Sequence, residues 1–276
     1  MRIKDILAKD NRIPRLDLMG LVSHSLGLSK EALFVGLDRE IEEREARQID
    51  ELVEERRTGR PLAYITRRKE FYSEEFFVDG HVLVPRPETE QLIDEALRII
   101  ENRAKPVSVL DMGTGSGAIG IIVAKMAFCE VLCVDISPGA LRVARQNARL
   151  LCPDVNISFV CSSLFDSVKA GKRFDLVLAN LPYIPTEEIE ALPVDVKDFE
   201  PRVALDGGPD GLDVYREFLA VLPEYLEESG HLLCEIDGHF QSKRMEEMVQ
   251  SIGLKPETKR DFSGRERVIT GSWTNS

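Results

Sequence analysis

The fold of this chain is decided by one stretch, Val107-Ser108-Val109-Leu110-Asp111-Met112-Gly113-Thr114-Gly115-Ser116-Gly117. Its apolar first half is typical of a buried strand. Its second half has a glycine at every second position, which lets the backbone turn sharply and approach a ligand closely. The apolar run that follows predicts a helix over 117–128, with its N-terminus directed at the same place. A strand, a glycine-rich turn and a helix in this order are typical of α/β proteins with a cofactor-binding parallel sheet.

Strands and helices alternate in the rest of the C-terminal part. We predict strands at Val107–Asp111, Val131–Asp135, Ile157–Val160, Phe174–Ala179, His231–Ile236 and Arg267–Gly271, and helices over 117–128, 138–151, 210–228 and 240–252. This alternation predicts an α/β fold with a mostly parallel twisted sheet and helices on both faces. In such a sheet the ligand binds at the carboxyl ends of the strands.

Two regions of different character precede this sheet. Residues 1 to about 60 carry apolar positions at helical spacing, and they include a highly charged helix from Arg39 to Arg57. Between Pro61 and Pro87, aromatic and β-branched residues surround Asp79-Gly80 and predict a β-hairpin that turns there. We therefore predict a helical domain at 1–66, a linking hairpin at 67–87 and an α/β domain at 88–276.

Composition narrows the class of protein. The 276 residues include 36 basic and 48 acidic side chains, a net charge of −12, so direct nucleic-acid binding through phosphate contacts is not expected. The charged start, Met1 to Asp5, is unlike a signal peptide, and no uncharged run reaches the roughly 20 residues of a membrane span. Five cysteines without a C-x-x-C pair predict mostly buried free thiols in a reducing cytoplasm. Four scattered histidines predict no metal site.

The glycine-rich loop is compatible with two cofactors. The pattern from Gly115 to Gly120 fits the G-x-G-x-x-G fingerprint of dinucleotide binding, with Asp135 at the usual distance. The pattern from Asp111 to Gly117 fits equally well the S-adenosylmethionine loop of Rossmann-like methyltransferases. In either case the carboxylate of Asp135 can accept hydrogen bonds from ribose hydroxyls. The loop alone leaves both cofactors open.

A second motif, Asn180-Leu181-Pro182-Tyr183, follows the predicted strand Phe174–Ala179. It suits methylation of a planar nitrogen, whose delocalised lone pair makes it a weak nucleophile. The side-chain oxygen of Asn180 and the carbonyl of Leu181 can each accept one N–H and orient that nitrogen. Pro182 stiffens the loop, and Tyr183 offers a flat face to the planar group.

Several stretches together carry a resemblance to known proteins: Gly59–Ile65, Glu70–Tyr72, Val84–Glu90, Gly113–Gly117, Asn180–Ile184, Phe199–Pro201 and Ala204–Leu212. The catalytic half resembles amino-methyltransferases with an N-P-P-Y or D-P-P-Y motif, and the whole chain resembles the HemK/PrmC family of release factor glutamine methyltransferases. The resemblance implies a cytoplasmic enzyme that methylates the glutamine of a Gly-Gly-Gln tripeptide in peptide chain release factors. S-adenosylmethionine would be its cofactor and S-adenosylhomocysteine its product, and the helical domain would help to recognise the partner.

The resemblance also implies roles for individual residues. A loop of five residues would wrap the methionine part of the cofactor: Gly113, Thr114, Gly115, Ser116 and Gly117. Asp135 would hold the ribose, and Phe165 would lie against the adenine, where the family often has tryptophan. Asn180 would contact both cofactor and substrate, and with Tyr183 it would be catalytic. Leu181 and Pro182 would complete the substrate-binding motif.

One departure from the family pattern matters for function: Leu181 stands where proline is usual. Asn-Leu-Pro-Tyr also occurs in rRNA adenine dimethyltransferases, so an adenine-amine methyltransferase acting on rRNA or DNA is an alternative. A glutamine methyltransferase of a ribosomal protein, an inactive cofactor-binding adaptor and an NAD-linked enzyme are further alternatives. The acidic charge and the stretch Pro85–Glu90 favour release-factor methylation.

Overall fold

The computed structural model describes residues 1–9, 12–101, 103, 106–261 and 263–274. The chain forms two compact units. One comprises Met1–Arg68 together with Leu192–Phe199, and the other comprises Lys69–Ala191 together with Glu200–Ser276. No helix among the described residues combines the length and the apolar character that a membrane crossing needs.

The first unit is helical. With helices numbered along the whole chain, it contains α1 (Ile3–Lys9), α2 (Arg15–Leu26), α3 (Lys30–Val35), α4 (Glu43–Arg57), α5 (Leu62–Thr66) and the short α9 (Val194–Lys197). Its core is made of fully buried aliphatic side chains from several of these helices, among them Ile3, Leu18, Leu21, Ile49 and Val53. The segment with α9 packs onto the end of α4, because a Cβ at Gly59 would lie 2.5 Å from Cγ1 of Val194.

Helix α4 is shorter than predicted, since it begins at Glu43 and not at Arg39. Glu42 caps it in a reciprocal capping box, in which the backbone N–H of Glu42 donates to Oε2 of Glu45 at 2.8 Å. The residues before Glu42 are held in another way, because the N–H of Ile41 donates to the carbonyl of Met1 at 3.0 Å.

The predicted hairpin exists, but its turn lies elsewhere. Its strands are β1 (Arg68–Phe71) and β2 (Glu74–Phe77). Tyr72 and Ser73 join them with φ of 50° and 61°, the conformation of a tight hairpin turn. The hydroxyl of Tyr72 donates to Asp94 at 2.7 Å, which stabilises the turn without glycine. Asp79-Gly80, predicted as the turn, lies in the loop after β2.

The second unit is built on a seven-stranded sheet with the order β5-β4-β3-β6-β7-β9-β8. The strands are β3 (Val107–Met112), β4 (Cys129–Asp135), β5 (Ile157–Cys161), β6 (Phe174–Ala179), β7 (Leu226–Glu235), β8 (Leu254–Arg260) and β9 (Glu266–Trp273). Strands β5, β4, β3, β6 and β7 are parallel, and β9 pairs antiparallel with both β7 and β8. The predicted fold class is therefore confirmed. The chain leaves β3 toward β4 on one side and reaches β6 on the other, so the carboxyl ends of β3 and β6 meet at the switch point where ligands bind.

Helices cover both faces of this sheet: α6 (Glu90–Glu101), α7 (Ala118–Met126), α8 (Pro138–Leu151), α10 (Asp213–Val221) and α11 (His239–Ser251). Short 3₁₀ helices lie at Pro87–Thr89, Thr186–Ala191, Arg202–Ala204 and Leu222–Glu224. Two apolar cores result from the alternation of side chains along the strands. Val109 and Leu178 belong to one core, and Leu110 and Val177 belong to the other.

Several boundaries differ from prediction. The helix predicted over 210–228 ends at Val221, a 3₁₀ turn that contains Pro223 follows, and β7 begins at Leu226. Helix α7 occupies Ala118–Met126 within the predicted 117–128. Helix α6 and strand β8 were not predicted. Four of the five cysteines are buried, and the thiol of Cys161 is exposed.

Candidate active site

The loop between β3 and α7 depends on its glycines for different reasons. Gly113, Gly115 and Gly117 have φ of 77°, 55° and 83°, a region that side chains other than glycine rarely adopt. A Cβ at Gly117 would lie 2.7 Å from Cδ1 of Ile121, so this glycine also permits close packing of the loop against α7. A Cβ at Gly115 would meet only the carbonyl of Gly113, at 4.0 Å. The loop therefore leaves the space beside Gly115 open, so its backbone can be approached from that side.

A buried carboxylate holds this loop in place. Oδ2 of Asp111 accepts hydrogen bonds from the hydroxyl of Thr114 at 2.6 Å and from the N–H of Gly120 at 3.0 Å. Its Oδ1 is buried and has no hydrogen-bond partner in the described part of the chain. Burial, with the charge of Asp135 adding to it, raises the pKa of Asp111 to about 6. Asp111 thus links the loop to the start of α7.

Asp135 lies at the end of β4, next to the loop. Its Oδ2 accepts from the N–H of Gly115 at 2.8 Å, and its Oδ1 accepts from the N–H of Ser137 at 2.8 Å. Burial raises its pKa, and the two N–H donors oppose that shift. A carboxylate has about four acceptor positions, so each oxygen can accept one further hydrogen bond, as two ribose hydroxyls require.

Asn147 of α8 was not predicted as a site residue, yet it fixes the back of the loop. Its Nδ2 donates to the carbonyl of Ser116 and to that of Phe77, both at 2.9 Å. Its Oδ1 accepts from the N–H of Phe77 at 2.8 Å. This fully buried amide therefore ties the glycine loop to the end of the hairpin. Asn147 could have been identified from the sequence, because it is a polar residue amid the apolar positions of the predicted helix 138–151.

Phe165 lies in the core of the α/β unit. Its side chain is 4% exposed, and its ring stacks on Tyr225 at 4.5 Å and on Phe218 at 5.6 Å between centroids. The neighbouring Leu164 is half-buried and has φ of 45°. A contact between Phe165 and the adenine of a cofactor stays a prediction.

Asn180 directly follows β6, and its amide group has a fixed orientation. The pairing of Ala179 with Cys234 brings Asn180 beside Glu235, the last residue of β7. Nδ2 of Asn180 donates to Oε2 of Glu235 at 2.9 Å and to the hydroxyl of Thr89 at 3.3 Å. Within the described ranges, no group donates to Oδ1 of Asn180. The side-chain oxygen is thus left as an acceptor.

Leu181 is held by its backbone and by its side chain. Its N–H donates to the hydroxyl of Tyr215 at 3.3 Å, and that hydroxyl donates to the carbonyl of Glu235 at 2.6 Å. The side chain of Leu181 is buried, with Cδ2 at 3.0 Å from the position of a Cβ at Gly113. Leucine thus supplies a donor that the usual proline lacks, and Tyr215 satisfies it.

Pro182 and Tyr183 are supported by the glycine-containing segment before α10. A Cβ at Gly207 would lie 2.8 Å from the carbonyl oxygen of Pro182, so the two backbones approach closely. The carbonyl of Tyr183 accepts from Nε2 of Gln241 at 2.6 Å. The hydroxyl of Tyr183 lies 3.5 Å from Oε1 of Glu235, and burial together with that carboxylate raises its pKa. Tyr183 is therefore neutral at physiological pH.

Glu235 connects these groups and was missed from the sequence. It is 2% exposed, and burial raises its pKa to about 7. The hydroxyl of Thr89 and the charge of Arg267 lower this pKa, whereas the charge of Glu88 raises it. A carboxylate at the end of the apolar predicted strand His231–Ile236 was a usable signal, because it lies at the edge where β6 carries Asn180.

The stretch Pro85–Glu90 is anchored beside this network. Arg86 donates to both oxygens of the buried Glu200 carboxylate, at 2.7 and 2.9 Å. A buried carboxylate paired in this way fixes the position of the arginine. Thr89, three residues further on, is thereby kept within reach of Asn180.

The site combines a Rossmann-like sheet, a glycine loop beside the carboxylate of Asp135 and an Asn-x-Pro-Tyr motif at the switch point. Together these features define an S-adenosylmethionine-dependent methyltransferase. The model of the methyltransferase domain matches residues 109–197, and that of the PrmC N-terminal domain matches residues 2–66. The release factor glutamine methyltransferase of Geobacter sulfurreducens is 39% identical to this chain, over 93% of this chain and 89% of the relative. That of Clostridium acetobutylicum is 37% identical, over 98% of each chain. The chain belongs to the release factor glutamine methyltransferase family.

Solved structures agree on the fold. The ribosomal protein L11 methylase of Lactobacillus delbrueckii subsp. bulgaricus is 23% identical, with a TM-score of 0.51 over 69% of this chain and 81% of that chain. A T. thermophilus 16S rRNA methyltransferase, solved with AdoMet and guanosine, is 17% identical, with a TM-score of 0.54 over 75% of this chain and 50% of that chain. Both share the Rossmann-like methyltransferase architecture.

Proposed function

We propose that this protein transfers the methyl group of S-adenosylmethionine to the side-chain amide nitrogen, N5, of the glutamine in the Gly-Gly-Gln motif of peptide chain release factors. The observation that carries the proposal is the pair of acceptors after β6, Oδ1 of Asn180 and the carbonyl of Leu181. Among the described residues neither has a hydrogen-bond donor. A primary amide has two N–H groups, so this pair matches it and directs its nitrogen.

The residues of the glycine loop and Asp135 fit the cofactor. Open space at Gly115 admits it, and the remaining acceptor positions of Asp135 suit its ribose hydroxyls. When bound, S-adenosylmethionine supplies an electrophilic methyl group. The protein's part is orientation: Asn180 and Leu181 hold the amide by both N–H groups, and the neutral Tyr183 offers a flat surface to its plane. After transfer the amide nitrogen carries a positive charge and is strongly acidic, so it can release its proton to solvent, and the motif needs no strong base.

The partner and the compartment follow from this substrate. A release factor acts in the cytoplasm, and five unpaired cysteines suit that reducing environment. The helical unit at Met1–Arg68 would recognise the release factor beyond its tripeptide. A net charge of −12 argues against a nucleic-acid substrate held through its phosphates.

The test is methyl transfer from labelled S-adenosylmethionine to two substrates, a purified release factor and unmethylated small-subunit rRNA. The matched control is the same release factor with the glutamine of Gly-Gly-Gln changed to alanine. We expect label in the release factor, one methyl group on the glutamine by mass spectrometry, and no label in the control. Label in the RNA alone would overturn the proposal in favour of adenine methylation.

A further inference from the structure

The carboxylate of Glu235 has surroundings that a purely structural residue at the end of a buried strand does not need. It receives Nδ2 of Asn180 on Oε2 at 2.9 Å and faces the hydroxyl of Tyr183 from Oε1 at 3.5 Å. It is 2% exposed, so it is almost entirely surrounded by protein groups. Its two oxygens thus contact both ends of the Asn180–Tyr183 motif.

The chemistry of a carboxylate decides which way the Asn180 amide faces. An ionised carboxylate only accepts hydrogen bonds, so it selects the NH₂ side of Asn180 and leaves Oδ1 on the opposite side. The hydroxyl of Thr89 also hydrogen-bonds to the Glu235 carboxylate and lies 3.3 Å from Nδ2, so its own orientation depends on Glu235 and it does not select the amide orientation independently. A protonated or neutral group in place of the carboxylate could instead donate to Oδ1 and remove the acceptor that the substrate amide needs.

We propose that Glu235 is the positioning residue of the reaction, which in its ionised form keeps Oδ1 of Asn180 facing the substrate amide. This inference rests on the proposed function, since it assigns a cause to the acceptor pair on which that function depends. Glu235 acts through Asn180 and does not itself contact the reacting atoms.

The position of Glu235 makes this control sensitive to pH. Its pKa of about 7 lies where a modest change in pH alters the fraction of the ionised form. The charged and titratable groups that face it are Glu88, which raises the pKa, Arg267, which lowers it, and Tyr183, which donates to it. Because the ionised form is the competent one, turnover should rise with pH through about 7 and level off above it.

The experiment compares wild-type enzyme with Glu235→Gln and with Glu228→Gln, a change of the same kind at an exposed position of the same strand. Turnover and KM for a purified release factor are measured between pH 5.5 and 8.5, and the affinity for S-adenosylmethionine is measured separately by calorimetry. For Glu235→Gln we expect a decrease in kcat of about 10- to 100-fold, as for a misoriented reactant. The rise of kcat with pH through about 7, which is the acidic limb of the pH profile, should also disappear. Cofactor affinity should be unchanged, and Glu228→Gln should behave as wild type.

Glu235→Asp separates positioning from folding, because it keeps an ionisable acceptor on a shorter side chain. For Glu235→Asp we expect a reduced kcat and a pH profile that keeps its acidic limb. This variant therefore tests the inference even if Glu235→Gln proves poorly folded. The inference would be overturned if Glu235→Gln had the kcat and the pH dependence of the wild-type enzyme. It would also be overturned if this variant lost cofactor affinity and kcat in parallel while its pH profile stayed unchanged. A wild-type enzyme that binds the cofactor but leaves the release factor unlabelled would instead overturn the proposed function, and the inference with it.

Discussion

Removing one hydroxyl, with Tyr215→Phe, tests how the loop proposed to bind the substrate is held. Tyr215 is fully buried, and its hydroxyl donates to the carbonyl of Glu235 at 2.6 Å and accepts from the N–H of Leu181 at 3.3 Å. A neutral hydrogen bond contributes about 0.5–1.5 kcal/mol net, and a buried donor left without a partner costs about 1–3 kcal/mol. We therefore expect a loss of about 2–3 kcal/mol in the free energy of unfolding.

The assay is urea unfolding at 25 °C. The urea concentration at the midpoint of unfolding is compared between variant and wild type, with one common slope for the dependence of the unfolding free energy on urea. Tyr225→Phe is the control, because its hydroxyl makes one long bond of 3.4 Å, to the carbonyl of Val168, at a half-buried position. It keeps the ring and should change stability by less than about 0.5 kcal/mol. Activity provides a second readout, since a displaced Leu181 carbonyl should lower kcat in Tyr215→Phe.

A double-mutant cycle assigns the effect to the Leu181 N–H. In a Leu181→Pro background this donor no longer exists, so Tyr215→Phe should cost about 1 kcal/mol less than in the wild-type chain. An equal loss in both backgrounds, or a loss below about 0.5 kcal/mol in the wild-type chain, would refute the reasoning.

Three further predictions concern the cofactor and substrate sites. Asn180→Ala removes one amide acceptor and should lower kcat about 100-fold with little change in cofactor affinity; unchanged steady-state turnover would contradict the assigned role. Asp135→Ala should weaken S-adenosylmethionine binding by about 1.5–3 kcal/mol in calorimetry, with Glu130→Ala at the other end of β4 as the neutral control. Equal affinities in the two variants would contradict the proposal that Asp135 holds the ribose. Asp111, with its pKa raised to about 6, binds a proton in the folded state between about pH 4 and pH 6, so it makes the unfolding free energy fall as pH rises through that window. Asp135 and Glu235 also have raised pKa values and add to this slope, so Asp111→Asn should reduce the slope in urea unfolding measured at several pH values without abolishing it; an unchanged slope would assign it to those other groups.

The sequence predicted those parts of the site that depend on local backbone constraints. The loop from Gly113 to Gly117 needs positive φ at alternate positions, and only glycine accepts this without strain, so its pattern is visible in the residues themselves. Asn180 and Pro182 could be predicted as candidate site residues for the same reason, because a strand end followed by a stiff polar turn is a local feature.

Partners that are distant along the chain could not be predicted in this way. Glu235 is 55 residues from Asn180, and only the register of β6 on β7 shows that they are neighbours. The amide of Asn147 reaches Phe77 across 70 residues. Such contacts depend on strand order and on helix placement, which periodicity does not specify.

The missed secondary structure has equally physical causes. Strand β8 (Leu254–Arg260) lies at the edge of the sheet, has one buried side chain and contains Pro256, so it lacks the apolar signal of a central strand. The hairpin turn at Tyr72 and Ser73 has no glycine, because contacts made elsewhere, such as the bond from Tyr72 to Asp94, stabilise its positive φ values.

The placement of Leu192–Phe199 in the helical unit has a consequence for dissecting the molecule. Because this segment lies between Ala191 and Glu200 of the other unit, the backbone passes from one unit to the other three times. A single proteolytic cut, or a truncation that starts at Lys69, therefore cannot separate two self-contained halves. Such a truncation would remove Gly59, against which Val194 packs. The helical unit is consequently not a detachable module that could be fused to another enzyme, and exchange between relatives would have to carry both pieces of chain together.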